Sequence, residues 1–317
     1  MKKDEQTILK TLAYFDIFNY PVTTDEIISF ASEKINVSVL DETLDCLLQK
    51  KIVFKLAEFF SLQNNPSLVE RRRKGNQRAL KQLQIARKAA KVLSWFPFVK
   101  SVAVSGSLSK NFADERSDID FFIITSGNRL WISRTFMHLF KKITYLAGKQ
   151  NWFCMNYYVD DMWMEIPEKN LFTAMEIVTL IPMQGLKYFR QFIEANEWTN
   201  DFFPVYNPAS NAGMQIKKTL FSKFFEKIFN SKMGDLMDMW LMSVTDKRWK
   251  KKTKSGKVNA HNIQVGMMVN RHFSKPDPKN FQAKIIQQYE RKINQLLQTN
   301  QQMNSNNKIF ALKRVVF

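Results

Sequence analysis

The sequence has few of the residues and segments that define several protein classes. Its 317 residues include only 2 Cys and 3 His, which exclude a disulfide framework and leave no Cys/His set for a zinc site. With 9 Gly and 9 Pro, a collagen-like or linker-dominated chain is excluded. No stretch approaches the roughly 18 apolar residues of a membrane-spanning helix, and no apolar segment follows the charged start, as a signal peptide would require. We therefore expect a cytoplasmic protein without stable membrane insertion.

Basic residues are abundant, and they lie in two blocks. The 48 Lys and Arg exceed the 29 Asp and Glu, for a net charge of +19. Residues 66–100 carry +9 and residues 211–317 carry +15, whereas residues 101–165 are neutral. Such blocks indicate either solvated helix faces or a surface for a polyanion such as nucleic acid or a triphosphate. The basic run 247–254, which we predict to be an exposed loop, is the best single candidate for polyanion contact.

The first 65 residues predict a winged helix-turn-helix module. Three helical segments, including one with a Thr23/Glu26 capping box and one that we expect Ser38 to cap, precede two short apolar runs that indicate a hairpin. Such modules usually bind DNA through the third helix. Here the segment has a net charge of −3, and its third helix is acidic. Because carboxylates repel phosphates, we favour packing or homodimer formation, with DNA binding as the alternative.

The remaining chain predicts three further segments. A basic connecting helix spans residues 66–98, strands alternate with helices over 99–165, and a helical region with a basic loop and a polar tail follows over 166–317. The fold class is therefore α+β, with a small mixed β-sheet and helices packed on it. The apolar stripe within residues 220–229 fits a helix that covers the sheet or a partner chain, or a membrane-surface helix.

One stretch carries chemistry. The strand 99–104 ends before Gly106 and Ser107, and Asp118-Ile119-Asp120 opens the next strand. A glycine lets the backbone approach a bound group, and a serine at a helix start offers its hydroxyl and backbone N–H groups to phosphate oxygens. Asp118 and Asp120 lie two residues apart and face the same side of a strand. Carboxylates this close repel each other unless a divalent cation neutralises them.

This pattern resembles the Gly-Ser … Asp-hydrophobic-Asp signature of the DNA-polymerase-β-like nucleotidyltransferase superfamily. The order, the ten residues 108–117 between the two parts and the flanking strands all match, over roughly residues 99–165. The resemblance implies a nucleotidyltransferase core that binds a nucleoside triphosphate at Gly106 and Ser107. It also implies that Asp118 and Asp120 hold Mg²⁺ or Mn²⁺. We expect Lys110 and Arg116 to neutralise the triphosphate.

The superfamily's third carboxylate lies on the following strand, here residues 153–160. Alternation places Asn156 at the expected position, and an amide cannot act as a base. Asp160 lies further along the same predicted face and is the candidate for the third catalytic carboxylate. The sequence departs from the family pattern at this point.

Two functions follow from these observations. The first is a magnesium-dependent nucleotidyltransferase that transfers a nucleoside monophosphate from a nucleoside triphosphate to a hydroxyl of a small molecule, a protein or a nucleic acid. The alternative is a non-catalytic regulator that binds nucleic acid or senses nucleotides, with a degenerate nucleotidyltransferase core.

Overall fold

The structure is a computed structural model that describes residues 3–115, 117–146, 148, 150–206, 213–256, 266–276 and 281–315. Helices and strands alternate along much of the chain. The helices are α1 (Lys3–Asp16), α2 (Thr24–Ser29), α3 (Val37–Gln49), α4 (Ser67–Leu93), α5 (Gly106–Ser109), α6 (Leu130–Leu146), α7 (Leu171–Val178), α8 (Leu186–Ala195), α9 (Leu220–Phe229), α10 (Lys232–Lys254) and α11 (Phe281–Val315). The strands are β1 (Phe54–Leu56), β2 (Phe59–Ser61), β3 (Val99–Val104), β4 (Asp120–Thr125), β5 (Cys154–Asp160), β6 (Ile181–Gln184), β7 (Met267–Val269) and β8 (Phe273–Pro276).

The described residues form two compact units, which differ from the segments predicted by sequence. The first combines residues from 1–73, 198–206 and 282–317, and the second combines residues from 74–197 and 207–281. The second unit therefore joins the predicted core to much of the predicted C-terminal region.

The first unit contains the three predicted helices and the hairpin β1–β2. The capping box of α2 is confirmed, since Thr23 Oγ1 accepts from the Glu26 N–H at 3.2 Å and Glu26 Oε2 accepts from the Thr23 N–H at 2.9 Å. Helix α3 begins differently, because the Asn36 side chain rather than Ser38 caps it. These elements occur in the order of a winged helix, and membership of that family stays a prediction.

A mixed sheet with the order β6-β3-β4-β5-β8-β7 organises the second unit. Strands β4 and β5 are parallel, and the other neighbouring pairs are antiparallel. A parallel pair needs a long crossover, which α6 supplies. This α+β architecture confirms the predicted fold class.

The region after residue 165 was predicted to be helical, and it contributes β6, β7 and β8 to the sheet. Pro182, in this region, lies within β6. Proline is accepted there because β6 is an edge strand of the sheet.

Helices cover both faces of the sheet. One face packs against residues 79–93 of α4 and against α6, and Trp131 of α6 is fully buried in this cluster. On the other face, the rings of Phe122 in β4 and Phe192 in α8 lie 4.7 Å apart. Because both faces are covered, β3 and β4 are almost entirely buried, and side chains reach solvent mainly at the strand ends. None of the helices in the described part of the chain combines the length and apolar character needed to cross a bilayer.

Candidate active site

The turn after β3 contacts the first residue of β4. The Ser105 N–H donates to the Asp120 carbonyl oxygen at 2.9 Å, and α5 then begins at Gly106 with a φ of +68°. A Cβ atom added at Gly106 would lie 2.6 Å from Asp120 Oδ2. Only glycine combines this left-handed backbone with so close an approach. The structure therefore brings the Gly-Ser turn and one of the two acids together.

The two acids share an environment that disfavours their charged forms. Asp120 is partly buried and Asp118 is exposed. Burial raises the pKa of Asp120 to about 7, against the lowering effect of a hydrogen bond with Cys154, and the negative charge of Asp118 raises it further. Desolvation also raises the pKa of Asp118, and the positive charge of Lys141 opposes this shift. A cation beside these carboxylates would stabilise their charged forms.

Asn156 on β5 occupies the position next to Asp120 that the family resemblance assigns to a carboxylate. Its Nδ2 donates a hydrogen bond to Asp120 Oδ1, and its Oδ1 accepts from the Cys154 thiol at 3.2 Å. Burial raises the pKa of that thiol to about 12, so it remains protonated at neutral pH. These two bonds fix the orientation of the amide, with its NH₂ group toward the acid.

The structure does not bring Asp160 to the pair. In the parallel register Asp120 lies opposite Cys154, whereas Asp160 lies opposite Thr125 at the other end of the strands. The Asp160 carboxylate is fully buried and accepts from the N–H groups of Asn128 and Met162. Its bonds instead fix the loop before α6 and the turn after β5.

The predicted alternation along β5 fails at Asn156 for a local reason. The β4–β5 register shifts between Phe121, which pairs with Met155, and Phe122, which pairs with Tyr157. Asn156 is thus an extra, bulged residue, and a bulge reverses which later residues face each side. Met155 and Tyr158, three residues apart, accordingly enter the same core cluster. This irregularity corrects the prediction that Asp160 shares the face of Asn156.

The predicted phosphate-binding residues have different surroundings. Ser107 is exposed on α5. Lys110 Nζ donates to Glu176 Oε1 at 2.8 Å and to the Gly106 carbonyl oxygen at 3.2 Å, so it ties α7 to the turn. Arg116 lies outside the described residues.

Glu176 is a site residue that the sequence reasoning missed. Its charge contributes to the raised pKa of Asp120, and it forms the ion pair with Lys110. Nothing in the local pattern of α7 distinguishes this glutamate from a solvated one, because its neighbours in the site lie far along the chain.

A comparison with protein-family models gives the class of the domain that contains these residues. Residues 86–181 match the model described as a nucleotidyltransferase domain. The chain contains a nucleotidyltransferase domain. The match covers 96 of the 317 residues and includes the Gly-Ser turn, both acids, Asn156 and Glu176. It supports nucleotidyl transfer as the activity of the chain, and it confirms the resemblance to the superfamily. Searches of curated proteins and of solved structures gave no match.

Nucleotidyltransferases generally use nucleoside triphosphates and divalent metals, and the donor atoms here fit a divalent cation. Within the described ranges, no three His, Cys, Asp or Glu side chains are grouped so that they would hold a metal. Asp118 and Asp120 nevertheless supply carboxylate oxygens, the ligands that Mg²⁺ prefers. Burial raises the pKa of Asp120 although the charge of Lys141 lowers it. A cation bound beside Asp120 would lower that pKa further and favour the ionised carboxylate.

Proposed function

We propose that the chain is a magnesium- or manganese-dependent nucleotidyltransferase that transfers a nucleoside monophosphate from a nucleoside triphosphate to a hydroxyl group. The contact between the Gly106 turn and the Asp120 carboxylate is the observation that carries this proposal. This contact supports the proposal because it would join a phosphate-binding element to a metal-binding one in a single site. The acceptor belongs to one of the classes used in the superfamily, namely a small molecule, a protein or a nucleic acid.

The residues of the site then have separate roles. Asp118 and Asp120 hold the cation, which supplies positive charge to the triphosphate when bound. Gly106 admits the phosphates close to the backbone, and Ser107 donates its hydroxyl to them. Asn156 holds Oδ1 of Asp120 through its amide. We leave Asp160 out of the catalytic set because its carboxylate is engaged at the far end of β5.

Two residues are proposed to counter the charge of the triphosphate. Lys110 lies beside the turn, where Glu176 and the Gly106 carbonyl oxygen hold its ammonium group. Arg116 belongs to the segment between the turn and the acids, and its role stays a prediction. Both would act through electrostatic attraction to the phosphates, which is stronger where water is partly excluded.

A transfer assay tests the proposal. The protein is incubated with each of the four α-labelled nucleoside triphosphates, Mg²⁺ and pools of small-molecule, protein and RNA acceptors. We expect metal-dependent release of pyrophosphate and label transfer, both abolished by Asp118→Asn/Asp120→Asn. Asp41→Asn, an exposed carboxylate on α3, is the matched control and should keep full activity.

One observation favours the second function, nucleotide binding without turnover. The amide of Asn156 stands where the superfamily has a carboxylate, and it cannot accept a proton from the attacking hydroxyl. Nucleotide binding that depends on Asp118 and Asp120, with no transfer to any acceptor pool, would replace the enzymatic proposal with this one.

A further inference from the structure

Helices α9 and α10 leave a series of large apolar side chains uncovered. Each of the following is more than one third exposed: Leu220, Phe221, Phe224 and Ile228 on α9, and Met233, Leu236, Met237, Trp240 and Val244 on α10. We call these residues the α9–α10 surface. Single exposed apolar residues are common, but a run on two successive helices marks an interaction surface. The sequence predicted that the α9 stripe covers the sheet, a partner chain or a membrane surface, and the structure leaves much of the stripe exposed.

The orientation of α10 is fixed by its opposite face. Gly234 and Asp238 are buried, and Asp238 Oδ1 accepts from the Ile132 N–H in α6 at 2.8 Å. Met233, Met237, Trp240 and Val244 recur at helical spacing on the other side. Since one face of α10 is held against α6, its apolar face is turned outward.

The charge around this surface is positive. Residues 220–254 contain nine Lys and Arg against four Asp and Glu. All four acids are engaged: Glu226 pairs with Lys218, Asp235 with Arg129 and Asp246 with Lys250, and Asp238 is buried against α6. The basic run 247–254, predicted to be a loop, forms the last turns of α10. By helical spacing, its Lys247 and Lys251 continue the apolar face of the same helix.

The combination of exposed apolar side chains and lysines discriminates between the possible binding partners of this surface. A second copy of the chain would bring lysines against lysines, which disfavours self-association through this face. A nucleic acid would match the lysines but leave the aliphatic side chains of Leu236, Met237 and Val244 without partners. An anionic lipid surface offers phosphates to the cations and an apolar layer directly beneath them.

We propose that the α9–α10 surface docks onto anionic membranes. The two helices lie in the plane of the interface, with the apolar side chains at the boundary between headgroups and acyl chains and the lysines at the phosphates. This is attachment at the surface and needs no spanning helix. The proposal is independent of nucleotidyl transfer.

Vesicle co-sedimentation of the full chain tests it. Phosphatidylcholine vesicles with about 30% phosphatidylglycerol are compared with pure phosphatidylcholine vesicles at low and high salt, since screening weakens attraction to anionic lipid. We expect binding to the anionic vesicles alone, reduced at least about tenfold by high salt. The fluorescence of Trp240 should shift to shorter wavelength on binding, and Trp240→Phe should remove most of that shift.

Matched variants locate the surface. Leu236→Glu/Trp240→Glu changes side chains that are 65% and 59% exposed, so the fold should survive, as checked by circular dichroism and thermal melting. Lys247→Glu/Lys251→Glu reverses the charge at the end of the face. Each pair should lower the vesicle partition coefficient by at least about tenfold. For the lysine pair the reason is that one basic residue near anionic lipid is worth about a fivefold change in binding. For the apolar pair, two carboxylates would replace side chains that lie at the acyl boundary. The controls on α4, Leu80→Glu, which is 61% exposed, and Lys81→Glu/Lys88→Glu, should bind like the parent.

Several results would overturn the proposal. Absence of binding to anionic vesicles at low salt is one, and equal losses in the α4 controls and the α10 variants are another. If light scattering shows that Leu236→Glu/Trp240→Glu converts a dimer to a monomer without affecting vesicle binding, a second copy covers this face instead. Salt-sensitive binding to DNA without binding to vesicles would assign the lysines to nucleic acid.

Discussion

Replacement of Gly106 by alanine tests whether the turn and the acid form one site. The left-handed φ of +68° costs an alanine about 1–2 kcal/mol. The new Cβ would lie 2.6 Å from Asp120 Oδ2, closer than Cβ atoms approach real neighbours, so the carboxylate must move. A displacement of about 1 Å at a reacting centre lowers the rate roughly 100-fold. We therefore expect a moderate loss in the free energy of unfolding and a roughly 100-fold loss in kcat/KM for the nucleoside triphosphate.

Gly256→Ala is the matched control for the backbone term. Gly256 has nearly the same φ, +66°, but nothing lies within 4 Å of its added Cβ. Urea denaturation of both variants gives the loss in the free energy of unfolding that the left-handed backbone causes in each. Steady-state kinetics gives the additional loss in kcat/KM that the clash with Asp120 causes in Gly106→Ala. If the two variants have the same kcat/KM, whether unchanged or equally reduced, the proposed contact between turn and carboxylate has no part in catalysis.

Three further predictions follow from the surroundings of single residues. Asn156→Asp places a second carboxylate against Asp120, and we expect a melting temperature lowered in EDTA and restored by Mg²⁺; insensitivity to Mg²⁺ would argue against a cation there. Burial raises the pKa of Asp238 to about 7 although the Ile132 N–H donates to it, so the folded state holds a proton that the unfolded state releases. Stability should therefore fall as pH rises from about 4 to about 7, and denaturation across this range should show a flatter profile for Asp238→Asn. Lys110→Met should raise KM for the triphosphate several-fold with little change in kcat. Glu176→Gln, which changes the ion-pair partner of Lys110, should leave KM the same or lower. An unchanged KM in Lys110→Met would show that this lysine does not bind phosphate.

The parts of the fold that depend on local sequence were predictable. The capping box at Thr23 and Glu26 satisfies backbone donors within one turn, and its residues alone determine it. Strands β3, β4 and β5 were found from short β-branched and apolar runs, since such residues suit a sheet that is buried on both faces. The Gly-Ser turn and Asp120 were expected to converge because both flank adjacent strands.

The parts that depend on distant residues were not predictable. Strand β6 contains Pro182, which argues against a strand until its position at the sheet edge is known. The basic run 247–254 has the composition of a solvated loop, but continuity with the preceding helical turns keeps it helical. Glu176 reaches the site because α7 packs there, and no spacing in the sequence encodes that contact.

The prediction for the third position of the site failed because it rested on local alternation alone, whereas the pairing with β4 decides the geometry. Alternation along β5 assumes a regular strand, and the bulge at Asn156 removes Asp160 from the face where alternation places it. What remains beside Asp120 is an amide, held by Cys154, that donates a hydrogen bond rather than accepting a proton. The Asn156 amide stabilises the charged form of Asp120 by donating a hydrogen bond. Being neutral, it cannot add a negative charge to balance a cation, as a carboxylate at this position would. If the chain transfers nucleotides as proposed, the attacking hydroxyl must therefore lose its proton to a group other than residue 156. Glu176, which its ion pair with Lys110 holds at the turn and whose charge acts on Asp120, is one acid placed for this step.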